Sequence, residues 1–162
     1  MLCVHNKILY LCCMHKEESI DHHLRATWQA VSKMYNEEAL SHGSTMAMAF
    51  VLLNVDYEKG TPSTSLGPQM GMEATSLSRI LKNMEDKGIV YREKHPKDGR
   101  SVLIKLTEYG KEKRAFAKAT VLRFNNVVKQ HVTTEQLNGF FEVVKTIEVL
   151  IKDNVIFEKA KV

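Results

Sequence analysis

The sequence is poor in cysteine, and its three cysteines, Cys3, Cys12 and Cys13, all lie near the amino end. They precede the first segment with a clear helical pattern, so disulfide bonds between them could not staple a fold. We therefore expect reduced thiols and a cytoplasmic location. Residues 1–13 differ in character from the rest, and Met14 opens a polar lead-in to the first helix. We predict that 1–13 form a disordered or misassigned extension.

Long apolar runs and the common catalytic motifs are missing as well. The apolar stretch 8–14 is too short to span a membrane and does not follow the plan of a signal peptide. The chain has no glycine-rich phosphate loop and no Gly-x-Ser-x-Gly nucleophile motif, and its acids and bases are scattered over polar helix faces. We predict no membrane partner, no enzymatic activity and no cofactor.

The positive charge of the chain is concentrated in one stretch. Its net charge is only +4, but residues 79–114 contain 11 Lys or Arg against 6 Asp or Glu. This stretch therefore carries +5 and the remainder −1, which indicates an anionic partner for this part of the chain.

A helix with two different faces is predicted over 73–87. Its apolar side chains recur at i, i+3, i+4 and i+7, at Leu77, Ile80, Leu81 and Met84. The opposite face is polar and carries Thr75, Ser76, Ser78, Arg79, Lys82 and Asn83. Gly88 is expected to end the helix in the left-handed conformation. Glu85 and Asp86 would repel an anionic partner and are expected to point away from it.

Two strands, 89–95 and 101–106, follow directly, joined by a turn that contains Asp98-Gly99. A helix with a polar, basic free face and a basic-tipped hairpin after it predicts a winged helix-turn-helix that reads DNA. The same residues closely resemble the MarR family of bacterial transcription regulators. The resemblance rests on four motifs in order: GMEATSLSRIL at 71–81, MEDKGIV at 84–90, DGRSV at 98–102 and LTEYG at 106–110.

The resemblance implies a mainly α fold with a minor β part, as one MarR-type domain over 1–162. Residues 44–106 would form the winged helix with a two-stranded wing, and helices within 19–43 and 107–157 would intertwine two chains. Helix one is predicted over 20–42, buried helix two over 46–55, and a capping box at Thr133 would open the last helix. The predicted dimer interface comprises Leu24, Val31, Phe140, Phe141, Val144 and Ile147. A core helix within one chain is the alternative for helix one.

Roles on DNA follow from side-chain chemistry and from the resemblance. Thr75, Ser76 and Ser78 would contact phosphates or base edges, and Arg79 would bridge a guanine. Lys82 and Asn83 are further candidates, and a solvated surface position is the alternative for Arg79, Lys82 and Asn83. Arg100 on the wing would enter the minor groove, or would merely cap the hairpin, and Lys97 would meet phosphate. The resemblance makes Asp98 a brace that pairs with Arg100 or Arg92.

A two-fold homodimer predicts a pseudo-palindromic operator in double-stranded DNA, with half-sites ~34 Å apart, and association with the nucleoid. Family members commonly bind small aromatic acids or phenols, and Trp28, Tyr35, Met46 and Met48 could line such a small-molecule effector cleft. Ordinary core packing is the alternative for these four residues.

Two positions depart from the family pattern. Pro68 predicts a short helix that starts near 64 or 65, which would place the proline in the first turn. Glu73 stands where Asp, a better cap, is common.

Three other functions remain open. A redox-responsive regulator would need a cysteine in helix one, where this chain has none. A metal-responsive regulator would need more than the neighbours His22 and His23, so no metal site is predicted. A winged-helix module that binds protein is the third, and the positive charge of 79–114 argues against it.

Overall fold

A computed structural model describes residues 19–96 and 98–157, except the side chains of 98–100. The predicted extension 1–13 and Lys97 lie outside the described residues. The chain divides into two compact units, Met1–Ala117 and Lys118–Val162.

The described residues are mainly α-helical, as predicted. The elements in chain order are α1 (Ile20–Ser41), α2 (Met46–Asn54), β1 (Thr61–Pro62), α3 (Ser63–Met70), α4 (Ala74–Asp86), β2 (Val90–His95), β3 (Asp98–Leu106), α5 (Glu108–His131), α6 (Thr134–Lys152) and a 3₁₀ turn (Val155–Phe157). None of the helices within 19–96 and 98–157 combines the length and apolarity that crossing a bilayer requires.

The sheet has one strand more than the predicted two-stranded wing. Its order is β1–β3–β2 with antiparallel pairing throughout, and Thr61 of β1 lies opposite Ile104 of β3. The β2–β3 hairpin, which we call the wing, was predicted, but β3 begins at Asp98, three residues earlier than expected and inside the predicted turn. Strand β1 was not predicted, because two residues are too few to show an alternating pattern.

One apolar core joins helices α2, α3 and α4 to the base of the wing. Its fully buried side chains are Val51, Leu52, Val55, Leu66, Met84, Ile89 and Ile104. Helix α2 is therefore central, as its apolar composition predicted.

The helix ends show where local sequence decides structure. Thr45 caps α2 by accepting from the Met48 amide at 3.3 Å, and Thr133 forms the predicted capping box with Gln136 at the start of α6. Gly88 is left-handed, with φ 65°. The predicted start of α3 is wrong, because this short helix begins at Ser63 and Pro68 lies in its second turn. Proline cannot donate the backbone hydrogen bond that this position normally makes.

The second unit has many apolar side chains, but none of those described is fully buried. No side chain within 118–157 is classed as buried, and Phe140 and Phe141 of α6 are 56% and 55% exposed. Phe140 and Phe141 belong to the predicted dimer interface, and they are not buried within one copy of the chain.

The start of α5 is in close contact with the turn that follows α4. At Gly110 a Cβ atom would sit 2.0 Å from the carbonyl oxygen of Ile89. Real side chains do not tolerate such a contact with backbone, so this approach requires glycine.

We expect Gly110→Ala to lower the free energy of unfolding by about 1–3 kcal/mol, because the added methyl group must displace the Ile89 backbone. Urea unfolding at fixed protein concentration measures the change. The control is Gly139→Ala in α6, where, apart from the chain neighbours and the nearby backbone of the helix itself, no atom of the described residues lies within 4 Å of the added Cβ. The control should be within about 1 kcal/mol of the parent protein. Equal effects of the two substitutions would contradict the steric account.

Candidate nucleic-acid interface

Helix α4 turns one face to the core and the other to solvent. Leu77, Leu81 and Met84 on its inner face are 4% exposed or less. The six polar residues proposed to contact DNA are all exposed: Thr75, Ser76, Ser78, Arg79, Lys82 and Asn83. The structure therefore brings this predicted set together on one surface.

One member of the set already uses its hydroxyl. Ser78 donates to the carbonyl oxygen of Ala74 at 2.8 Å, a bond within α4. Its oxygen still has lone pairs, so in this rotamer Ser78 would act toward DNA as an acceptor.

The far end of α4 is held by the start of α5. The Thr107 hydroxyl donates toward the carbonyl oxygens of Gly88 (2.6 Å) and Ile89 (3.1 Å) and accepts from the Gly110 amide at 3.0 Å. In the sequence Thr107 was only one residue of the motif at 106–110, and its helix begins at the next residue. The role of Thr107 here depends on a contact across 19 residues, which local pattern does not show.

An ion pair connects the two strands of the wing. Lys105 Nζ lies 2.8 Å from Glu93 Oε1, and this hydrogen bond raises the pKa of Lys105. The pair joins the two strands of the hairpin, and both residues bear charges on the wing's surface.

Arg92 makes a contact that was not predicted. Its Nε donates to Glu85 Oε2 of α4 at 3.0 Å. Glu85 thus turns toward the wing, a contact that sequence reasoning missed because the two residues are seven apart across a turn. The side chains of Asp98 and Arg100 are outside the described set, so their pairing and the wing-tip contacts, with Lys97, stay predictions.

The four proposed effector residues have different environments. Trp28 is 55% exposed, whereas Met48 is 3% exposed and belongs to the core, which is the packing alternative for that residue. Tyr35 and Met46 are partly buried, and burial raises the pKa of the Tyr35 hydroxyl. A surface groove of about 480 Å³ lies elsewhere, between α3, α4 and Arg92.

Side chains suited to metal binding do not gather in the part of the chain that the structure describes. No group of three or more His, Cys, Asp or Glu there is placed to hold an ion.

Comparison with known proteins finds a family that part of the chain resembles. Residues 45–102, which run from the cap of α2 into β3, match the model of the MarR family. This segment of the chain is therefore similar to MarR-family regulators. The HTH-type transcriptional regulator YdgJ of Bacillus subtilis (strain 168) is 30% identical over 93 residues, which are 57% of this chain and 57% of YdgJ. The match thus spans little more than half the length of that relative.

Solved structures of MarR-type regulators share the fold. CouR from Rhodococcus jostii RHA1 bound to p-coumaroyl-CoA has a TM-score of 0.73 at 21% identity, covering 83% of this chain and 94% of that one. The S. aureus MepR–DNA complex has a TM-score of 0.73 at 14% identity, covering 81% and 97%. The predicted winged-helix fold is confirmed. The curated relative YdgJ is named as a transcriptional regulator, in agreement with the expectation of a protein that is not an enzyme.

The start of α4 offers a test of how the N-cap residue affects stability. Glu73 occupies the N-cap position, and among the described residues its side chain accepts no capping hydrogen bond. We expect Glu73→Asp to raise the free energy of unfolding by about 0.5–1 kcal/mol, because the shorter carboxylate can accept from the amides of the first turn. Urea unfolding measures it.

Thr133→Ala is the matched control, because it removes a cap that α6 already has. It should lower the free energy of unfolding by about 1 kcal/mol. A destabilised Glu73→Asp protein would contradict the capping argument for α4.

Proposed function

We propose that this protein is a sequence-specific DNA-binding transcriptional regulator that acts as a homodimer on a pseudo-palindromic operator. In the regulatory cycle that we infer, the dimer represses transcription and a small aromatic or phenolic ligand releases it. The protein would work in the cytoplasm, on the nucleoid.

The exposed polar face of α4 carries the proposal. A helix enters the major groove when its outer side chains are short enough for close approach and able to hydrogen-bond base edges. Thr75, Ser76 and Ser78 are short, and Arg79 supplies the bidentate donor that suits guanine. All four are exposed on one side of a helix whose other side is buried.

The wing adds a second contact to the first. It begins four residues after α4 ends, and the stretch 79–114 carries the excess positive charge of the chain. In the proposed complex Lys97 contacts phosphate and Arg100 enters the minor groove. The MepR–DNA complex, which shares the fold, supports DNA as the partner.

A homodimer would cover the apolar surface that one copy exposes. Residues 118–157 have no buried side chain, and surface apolar patches of this extent mark interaction sites. Leu24 of α1 is 42% exposed, and Phe140 and Phe141 of α6 are more so. We infer that Val31, Val144 and Ile147, which are partly buried in one copy, complete the interface.

The chemical class of the ligand is the most specific part of the proposal. CouR, which shares the fold, was solved bound to p-coumaroyl-CoA, a molecule with a phenolic group. Trp28 and Tyr35 of α1, with Met46 of α2, offer the aromatic and flexible apolar surfaces that such a group would contact.

We expect Arg79→Ala to weaken operator binding by about 1–3 kcal/mol and to relax the preference at one base position, because a bidentate guanine contact is lost. Lys97→Ala should instead weaken binding to all duplexes alike, since phosphates carry no sequence information. Fluorescence anisotropy on an operator selected from genomic fragments, and on a random duplex, measures both.

A salt titration of the unsubstituted protein completes this test. The affinity for DNA should fall steeply as the salt concentration rises. Binding releases counterions from the DNA, and a higher salt concentration makes that release less favourable. Equal losses on operator and random duplex for Arg79→Ala would refute its reading role. Absence of binding to any duplex at low salt would favour the protein-binding module.

We expect Val31→Glu to yield monomers that no longer bind the operator. A carboxylate at this position of the proposed dimer interface would lose its hydration when two chains associate. Light scattering and anisotropy measure the two effects. The control is Lys33→Gln, which makes the same change in charge on a side chain 78% exposed on the opposite side of α1. A Val31→Glu protein that remains dimeric would overturn this interface.

A further inference from the structure

The turn between α4 and the wing is spanned by a contact between side chains. Three residues, 87–89, separate the end of α4 from the start of β2. Glu85 in the last turn of α4 and Arg92 in β2 meet over this turn, with 3.0 Å between Arg92 Nε and Glu85 Oε2. We call this pair the helix–wing clasp. The backbone turn and the clasp together connect the two elements at two points.

The position of Arg92 explains why it needs a partner there. Arg92 lies opposite Ile104, and Val90, two residues earlier, lies opposite Leu106. Residues opposite each other and two apart share a face of a sheet, so Arg92 continues the face on which Val90, Ile104 and Leu106 are buried. A guanidinium at the edge of an apolar core is favourable when a carboxylate meets it, and Glu85 provides that carboxylate.

The clasp is too exposed to matter much for stability. The side chains of Arg92 and Glu85 are 41% and 40% exposed. Ion pairs at this degree of exposure contribute little to the free energy of folding. What the pair can do is restrict the angle between two elements that otherwise meet only through a short turn and the core.

We propose that the helix–wing clasp orients the wing relative to α4 and so sets the spacing between major-groove and minor-groove contacts. Glu85 and Arg92 are then positioning residues for DNA recognition. The inference rests on the proposed function, because the spacing matters only if both elements contact one duplex. A misplacement of the wing would reduce specific binding more than non-specific binding, which tolerates many orientations.

Glu85→Gln separates positioning from simple electrostatics, because the two predict opposite signs. Removal of a negative charge near DNA should by itself strengthen binding to every duplex. If the clasp positions the wing, operator binding should weaken by about fivefold while binding to a random duplex does not weaken. Anisotropy on both duplexes measures the ratio, and hydroxyl-radical footprinting should show lost minor-groove protection under the wing.

The matched control is Glu93→Gln, which makes the same change in charge within the wing. Glu93 pairs with Lys105 of the neighbouring strand, 2.8 Å away, and so does not connect the wing to α4. The affinities of the Glu93→Gln protein for the operator and for the random duplex should change by the same factor. The double exchange Glu85→Arg with Arg92→Glu restores a pair of opposite charges and should recover the operator affinity and footprint that either single exchange loses.

The outcomes separate the two proposals. Equal operator-to-random ratios for Glu85→Gln and Glu93→Gln, with an unchanged footprint, would overturn the clasp and leave the proposed function standing. Failure of the double exchange to recover the footprint, in a protein that melts at the normal temperature, would also overturn it. If the unsubstituted protein binds no duplex, the proposed function fails and the clasp's role fails with it.

Discussion

The burial of one face of α4 is the constraint on which the rest of the first unit depends. Leu77, Leu81 and Met84 must leave water together, and α2, α3 and the base of the wing supply the surface that receives them. Because a helix is rigid, burial of these three side chains turns Arg79 and its polar neighbours outward. The proposed DNA-reading surface is thus the face of α4 that lies opposite the core.

The two ends of α4 are held with different strength. At its start, Glu73 stands at the cap position without a capping bond among the described residues. At its end, Thr107 bonds the carbonyls of Gly88 and Ile89, and Gly110 permits α5 to approach within contact of that turn. Helix α5 therefore begins in direct contact with the end of the proposed reading helix, and its later residues carry part of the proposed dimer surface. One helix connects the two functions.

The second unit follows a different logic. Helix α6 begins with the Thr133 capping box, but within 118–157 no apolar side chain is fully buried. A capped helix without buried side chains agrees with the proposed homodimer, in which a second copy would cover the exposed apolar surface. In that proposal dimerisation would contribute to the stability of the fold.

Local pattern was enough to predict α4, the wing strands, Gly88 and the caps, because helix period, strand alternation and turn chemistry act over a few residues. It was also enough to select the six polar residues of α4. Tertiary structure alone decided strand β1, the second-turn position of Pro68, the burial of Met48 and the pairing of Arg92 with Glu85. Each of these depends on a neighbour supplied by another element, and the spacing of residues along a chain does not record which elements meet.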